Sequence, residues 1–541
     1  LTTGPATVVE RLRAAASTGG GRVVFHSTDV RAFEVPEMYE LACVRGARLA
    51  ELGVGPGTRV GVLGPNAPDF VGWAYATWLR GATLVPIPVP LRVRDPRAVS
   101  AQLTATAASL GCSVVAAHER FAPLLPPEVA VRWDDHGTAD DALTESDFIE
   151  GRDDDYSFIQ PTSGTTAAPK GVGWTFGGMK HADFMQSVNP FDAPEVRCLI
   201  NSPFGHAGGV IGFYGMMFPG LEVHLLSPER FVRDPGEFFR IVGGHAITMT
   251  IGASSAMAAA VRAVERDPEG LDFSSLVWFP FCYEMVDPAV VDRVNTLGGR
   301  YGLGPGVIGA MYGMSEGGGT RTEPGRGLRI EDVDLDALVA GGIAQPPGRD
   351  ATVKRVASCG APFRLELRIA GSDGALPERR VGEVEFRGAA LMTGYVGLGG
   401  EDVFDANGWM RTGDVGFMAD GELFITGRVK EVIVQQGRKY HPEDIEWAAA
   451  QAADVTPGAC VAFTPVGAPD GDIVIAVETA AAVGLAEIEQ RVRAAIINRV
   501  GIVPRSVIFL VPESLPKTAS GKSQRVEARD RYARGELATN R

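Results

Sequence analysis

Cysteine pairs are the first thing this chain lacks. Cys43, Cys112, Cys198, Cys282, Cys359 and Cys460 lie far apart, with no Cys-x-x-Cys among them. That usage suits a reducing cytoplasm, the location expected for the chain, and it offers no thiolate zinc site. The eight histidines are equally dispersed, so no structural metal is expected either. Positive charge is also scarce: 51 Lys and Arg stand against 66 Asp and Glu, a net charge of −15. An acidic surface argues against nucleic acid or an anionic membrane as the main partner, while leaving room for a local basic pocket. Long apolar runs are missing. The longest, near Gly209 to Leu221, is too short to cross a bilayer and is broken by glycines and Pro219. No charged start, apolar run and cleavage site occur in sequence, so no secretion signal is expected. Internal repeats and low-complexity tracts are absent.

What is present is ordinary in bulk and specific in detail. With 541 residues, 45% hydrophobic and 22% charged, the chain has room for several domains and large buried cores. Arg59–Leu63 is a short apolar run, Ala67–Arg80 is helical in pattern, and Thr83–Val89 is apolar again. Strand, crossover helix and strand make a parallel βαβ unit. Similar alternation at Ser113–Ala117, Val196–Ser202, Leu221–Leu226 and Ile247–Ile251 makes the long N-terminal part α/β, with sheets covered by helices. The last hundred or so residues differ. Gly421–Gln435 alternates like a hairpin arm. Pro442-Glu443-Asp444 opens a helix with an early proline and acids in the first turn. Ala459–Phe463 and Ile473–Val477 flank the turn signal Asp470-Gly471. Leu485–Val500 is an amphipathic helix and Ser506–Val511 a strand. A compact α+β domain is therefore expected after a join near Gly427–Lys430. Gly304 to Gly309 fits G-x-G-x-x-G, but 68 glycines in 541 residues give about one such match by chance, and no strand precedes it.

Pro161 to Val172 reads PTSGTTAAPKGV. Thr162, Ser163, Thr165 and Thr166 offer hydroxyls, Gly164 frees backbone N–H groups, and Lys170 supplies a point charge, a set able to wrap nucleotide phosphates. It is not the Walker loop. The only Gly-Lys-Ser, Gly521-Lys522-Ser523, has Pro516 where that loop needs glycine. Further along, Met311 to Glu316 (MYGMSE) places Tyr312, able to stack on a base, near Glu316, able to bind magnesium. Arg411-Thr412-Gly413-Asp414 offers a carboxylate for a ribose diol. Gly427-Arg428-Val429-Lys430, then QGRKYHPEDIE from Gln436, then LPKTASGKSQR from Leu515 complete the series. Singly each has a bland reading as a turn, packing residue or solvated charge.

In order and together, these segments resemble the adenylate-forming superfamily over essentially the whole chain: acyl-CoA synthetases, peptide-synthetase adenylation domains and firefly-type luciferases. The wording GWMRTGDVGFMADGELFITGR and GRKYHPEDIE, with an extra segment around Arg329–Ala357, most resembles the fatty acyl-AMP ligases. The resemblance implies a large N-terminal domain, residues 1–429, and a small mobile C-terminal α+β lid, residues 430–541. It implies ATP and Mg²⁺, an acyl-AMP (AMP anhydride) intermediate from a hydrophobic carboxylic acid, and transfer to the thiol of CoA or of an acyl carrier protein's phosphopantetheine. Thr162 to Thr166 and Lys170 would cradle phosphates. Tyr312, with Gly313 and Met314, would pack on adenine, Ser315 would touch phosphate, and Glu316 would ligate Mg²⁺. Asp414 and Arg428 would hold the ribose. Lys522 would bridge carboxylate and α-phosphate, neutralising charge that develops between two anions; Lys517 would not. Lys430 matches the hinge, while Gly437 and Arg438 match the turn that meets the thiol arm. His206 aligns with a residue beside the acyl carboxylate, although a histidine flanked by glycines also serves structure. Gly208, Cys282, Tyr283 and Glu284 fall at the acyl pocket.

Two departures stand out. Ala167 follows Thr166 where the family has glycine; at a position needing φ > 0 this costs ~1 kcal/mol. The family's Gly-Ala or Gly-Gly stretch before YGMSE is here Phe281-Cys282-Tyr283-Glu284, which fills or re-routes the pocket. Adenylation is therefore expected to be impaired, and an enzyme confined to thioester formation from supplied acyl-AMP is an alternative. CoA is placed ahead of a carrier protein because an enzyme weak in the first step must still perform the second. A luciferase-like monooxygenase and a silent acyl-adenylate binding protein are the rival classes. Phe204, Trp278, Phe279 and Phe281 point to a bulky apolar acid.

Overall fold

The computed structural model describes residues 7–17, 21–89, 95–162, 170–180, 196–209, 221–372, 374–389, 391–396, 403–435, 438–456, 458–468, 472–481, 483–517 and 523–540. The βαβ unit forms as its pattern predicts. Strands Arg59–Leu63 and Thr83–Ile87 pair in parallel, Arg59 opposite Thr83 and Leu63 opposite Ile87. The helix between them, Pro68–Leu79, starts on a proline with Asp69 in its first turn, and its residues from Phe70 to Leu79 are all buried. A helix apolar all round belongs between layers, not on a surface. This unit sits in a seven-stranded sheet that also holds Val114–Ala117 and the hairpin Tyr156–Pro161 with Gly171–Thr175.

A second, five-stranded sheet contains Arg22–His26, Val30–Glu34, Arg197–Ile200, Glu222–Leu226 and Met249–Thr250. The run Ile247–Ile251 yields only two strand residues. Ala246, at φ 46°, and the turn after the helix Glu237–Gly244 occupy its start. A five-stranded antiparallel sheet includes Gly382–Arg387, Met410–Ala419 and Glu422–Arg428. Gly421–Gln435 is not one arm. It is broken by a 3₁₀ turn at Val429–Glu431, after which Ile433–Gln435 pairs with Arg438–Tyr440. The run of glycines at 304–309 leads straight into the strand Ile308–Met314 and opens no helix.

In the C-terminal part, Cys460–Phe463 pairs antiparallel with Val474–Glu478, which pairs in parallel with Ser506–Leu510. The helix Leu485–Val500 has the predicted bounds. The extra segment forms a hairpin, Ile330–Asp334 against Val353–Ala357, with the helix Leu335–Gly341 between the strands. Leu335 and Val339 share one core with Ile433, Tyr440 and Ile445. Lys354 Nζ lies 2.6 Å from Asp444, and Arg438 2.6 Å from Asp336. The segment is thus docked on the C-terminal part.

All six cysteines are free. Among the described residues no helix is long and apolar enough to cross a membrane. Phe204, Trp278, Phe279 and Phe281 are at most 1% exposed and packed in cores. Those rings therefore carry no argument about the acid. The histidines also depart from expectation: His26, His224 and His245 gather in space.

Candidate active site

The phosphate-loop sequence joins two antiparallel strands, with Pro161 opposite Gly171. Thr162 N–H and Oγ1 both donate to the Lys170 carbonyl, at 2.8 and 3.2 Å, closing the base of the loop. Ser163, Gly164, Thr165, Thr166 and Ala167 lie outside the described residues, as do Gly437 and Lys522. Lys170 Nζ stands 5.3 Å over the ring of Tyr395. The Tyr395 hydroxyl donates to Glu316 Oε1 at 2.6 Å, and Trp174 Nε1 donates to the Ser315 carbonyl at 3.3 Å. The lysine, the serine and the buried acid of two distant segments are therefore drawn together by Tyr395 and Trp174. The sequence reading overlooked both aromatics, and their only signal was pairing: Gly394–Val396 runs antiparallel to Gly171–Thr175.

The second cluster centres on Asp414, which is 4% exposed. Tyr312 OH donates to its Oδ2 at 2.6 Å, and Arg428 Nε lies 2.9 Å from its Oδ1. Asp414 and Arg428 are register partners across one hairpin, which presents them side by side. A bulge between Tyr312 and Gly313 re-aims the strand there. Burial, then the Asp414 charge, raises the Tyr312 pKa well above its ordinary value, so it remains a phenol and a donor. Asp414 raises the pKa of Arg428, which stays cationic. Tyr312, Gly313, Asp414 and Arg428 line a cavity of about 90 Å³ that Glu443 and Trp447 of the C-terminal part also line. Nucleotide pockets are usually ~300 Å³ or more, larger than this cavity. The donor set fits a nucleotide: a carboxylate for a diol, a phenol ring for a base, and cations for phosphate. Buried Glu316 suits a hard divalent ion.

Tyr283 has φ 75°, in the left-handed region that favours glycine. Its ring makes a T-shaped contact with His206, centroids 6.1 Å apart, and its hydroxyl is 3.5 Å from the Gly208 carbonyl. A Cβ on Gly208 would come within 2.2 Å of that ring. Gly208 N–H donates to His206 Nδ1 at 3.1 Å, which places the neutral ring's proton on Nε2. Cys282 is buried enough for its pKa to rise to about 11, so it is an inert thiol. Glu284 lines the cavity, but its Oε1 accepts from Ser255 N at 2.5 Å, capping the helix Ser254–Arg266. Met314 lies in the strand carrying Tyr312. Lys430 is exposed in the 3₁₀ turn, and Arg438 faces Asp336.

At the join, a Cβ on Gly427 would come within 1.8 Å of His441 Nδ1, so only glycine allows this approach. That buried Nδ1 has no hydrogen-bond partner among the described residues. Burial, aided by Lys354, pushes the His441 pKa down to about 4. An unfolded histidine titrates near 6.5. Between these values the unfolded chain binds a proton that the folded chain refuses. His441 therefore costs no stability above pH 6.5 and up to ~1.4 kcal/mol per pH unit as pH falls from 6.5 towards 4. Urea unfolding at pH 7.5, 6.5 and 5.5 is expected to show a shallower acid loss for His441→Gln than for the parent. Equal slopes would count against this placement of His441.

Residues 12–396 match the family described as AMP-binding enzyme, and residues 430–541 match the AMP domain of the Disco-interacting protein 2-like family. The Mycobacterium tuberculosis protein Rv1013 is 33% identical over 510 residues, covering 91% of this chain and 93% of that protein. The long-chain-fatty-acid–AMP ligase FadD26 of Mycobacterium marinum is 27% identical, covering 92% and 90%. Among solved structures, a chain of the fatty acyl-adenylate ligases of E. coli and L. pneumophila superposes with a TM-score of 0.88 at 24% identity, covering 98% of each chain. The L. pneumophila enzyme with acyl adenylate and pyrophosphate gives 0.73 at 19% identity, covering 99% and 97%.

Proposed function

The chain belongs to the AMP-binding enzyme family, the adenylate-forming acyl-activating ligases, and on that premise we propose that it joins a hydrophobic carboxylic acid to AMP and hands the acyl group to a carrier-protein phosphopantetheine in preference to CoA. The observation that carries this reading is the meeting of Tyr312, Asp414 and Arg428 with lid residues Glu443 and Trp447 around one cavity. The second family match begins at residue 430, which supports a lid hinged at Lys430. The name of the M. marinum relative supports a fatty acid as substrate.

In this reading Asp414 and Arg428 fix the ribose, and the phenol of Tyr312 holds the Asp414 carboxylate in place beside the base. Thr162 and Lys170 anchor the phosphate loop. Glu316, oriented by Tyr395, would hold Mg²⁺, which when bound neutralises phosphate charge. His206, with its proton on Nε2, would donate to the acyl carboxylate. Lys522 would come in from the lid to stabilise negative charge between carboxylate and α-phosphate. Expectation had placed CoA first. The buried Lys354–Asp444 pair and the shared core at Leu335 and Val339 tie the lid to the extra segment and oppose its rotation, and a carrier protein, unlike free CoA, brings a docking surface whose contacts can offset that cost. The test is to supply ATP, Mg²⁺ and C8 to C18 acids, then CoA or a phosphopantetheinylated carrier, and follow acyl-AMP and thioesters by mass. Rapid acyl-CoA formation with every acid would overturn the preference, and absence of acyl-AMP would overturn the activity.

Tyr283 is proposed to throttle adenylation, since its ring occupies the space between His206 and Gly208. Tyr283→Gly relieves a left-handed backbone costing ~1 kcal/mol and opens that space. Pyrophosphate exchange with bulky acids is expected to rise about ten-fold, equivalent to ~1.4 kcal/mol of barrier. An unchanged rate would show that the ring does not limit the reaction.

A further inference from the structure

We propose that His26, His224 and His245 form a zinc-binding site outside the adenylate cavity, with Glu222 as the outer carboxylate that orients it. His26 ends the strand Arg22–His26, and His224 lies in the parallel neighbour Glu222–Leu226. Val24 stands opposite His224, and alternation puts Val24 and His26 on one face, so the two imidazoles share that face. His245 follows directly on the helix Glu237–Gly244 and brings the third ring. The ring centroids are 5.2, 5.2 and 4.5 Å apart, and one ligand nitrogen from each lies within 4.8 Å of the others. None of the three lines the adenylate cavity.

One hydrogen bond of the cluster, from His224 to Glu222, is that of a histidine metal centre. His224 Nε2 lies 2.8 Å from Glu222 Oε1. A carboxylate only accepts, so His224 carries its proton on Nε2 and turns a bare Nδ1 towards His26. That Nδ1 is 2.9 Å from His26 Nε2, which must therefore donate. Binding an ion between them requires only that His26 hold its proton on Nδ1 instead. Zinc–nitrogen bonds of ~2.0–2.1 Å set tetrahedral ligand atoms about 3.3 Å apart, a short adjustment from the present spacing. A carboxylate on the far nitrogen of a ligating histidine fixes its tautomer and raises its basicity. His26 and His224 are 2% and 0% exposed, while His245 is exposed and forms the mouth. Arg230, whose charge reaches His26, is itself paired with Glu237, Nη2 to Oε1 2.7 Å. Three imidazoles, one of them exposed, suit Zn²⁺, and the ion would staple the helix to two strands of the sheet.

The test uses tag-free full-length protein, stripped by chelation and titrated with Zn²⁺ against a chromophoric competitor, with retained metal counted after desalting. One equivalent should bind, and the unfolding temperature should rise with Zn²⁺. His245→Ala removes an exposed ligand without disturbing the core. It should weaken binding at least ten-fold and abolish the thermal shift. Glu222→Gln should weaken binding about 10–100-fold. Zinc held as tightly by His245→Ala as by the parent, or no zinc retained by the parent, overturns the proposal.

Discussion

Lys522→Ala is expected to lower pyrophosphate exchange about 10²–10³-fold, the effect of removing one preorganised electrostatic group from a reacting centre. Thioester formation from supplied acyl-AMP should stay within about three-fold of the parent, because there the acyl–phosphate anhydride already exists and no charge needs bridging. The neighbouring lysine cannot stand in. Lys517 Nζ is held 3.1 Å from Glu478, and both flanks of the segment are anchored: Lys517 bridges to Ser523, whose Oγ donates to the Gly458 carbonyl at 3.0 Å. Lys517→Ala is therefore the matched control, expected to leave exchange within about three-fold. Were the two variants to lose exchange equally, the role given to Lys522 would fail. Were Lys522→Ala to lose thioester formation as severely as exchange, a general lid defect would explain both.

What the sequence could reveal and what it could not divide along the range of the contacts. Leu485–Val500 and the antiparallel pairing of Cys460–Phe463 with Val474–Glu478 were legible because the hydrophobic period is local, while the turn signal Asp470-Gly471 lies outside the described residues. The turn at Val429–Glu431 was legible only as a join near Gly427–Lys430, whereas the separate pairing of Ile433–Gln435 with Arg438–Tyr440 was not legible. The replacement of the family's Gly-Ala or Gly-Gly stretch drew attention to Cys282 and Tyr283 as pocket-filling residues, but the φ of 75° at Tyr283 was not foreseen. The direction of its ring, towards His206 and Gly208, depends on tertiary packing that no pattern encodes. Tyr395 and Trp174 were invisible for the same reason: an aromatic that positions a lysine or a carbonyl reads like any core residue. The three histidines are the extreme case. His26 and His224 meet across 198 residues, through a strand pairing that the sequence suggests only as one of many.

Lys354→Met is expected to release the lid, and the argument rests on burial. Lys354 and Asp444 side chains are 6% and 13% exposed and 2.6 Å apart, whereas Arg438 and Asp336 are 49% and 63% exposed. Exposed pairs contribute ~0–1 kcal/mol, so Arg438→Ala should change little. Removing one partner of a buried pair leaves an uncompensated charge and costs about 3–5 kcal/mol. That is enough to shift the balance between docked and undocked lid by at least about 10²-fold. Cleavage near the exposed join at Lys430 should accelerate, and acyl-CoA formation from supplied acyl-AMP should rise, because the lid no longer has to break the pair to rotate. The double variant Lys354→Met with Asp444→Leu replaces both charges by apolar groups of similar size, a change that is often neutral or stabilising. It should restore the parent's protection and bring acyl-CoA formation back to the parent's level. Restoration by the double variant separates a lid latch from general damage. If Lys354→Met left both proteolysis and CoA transfer unchanged, the extra segment would not govern the lid, and the preference for a carrier thiol would lose its physical basis.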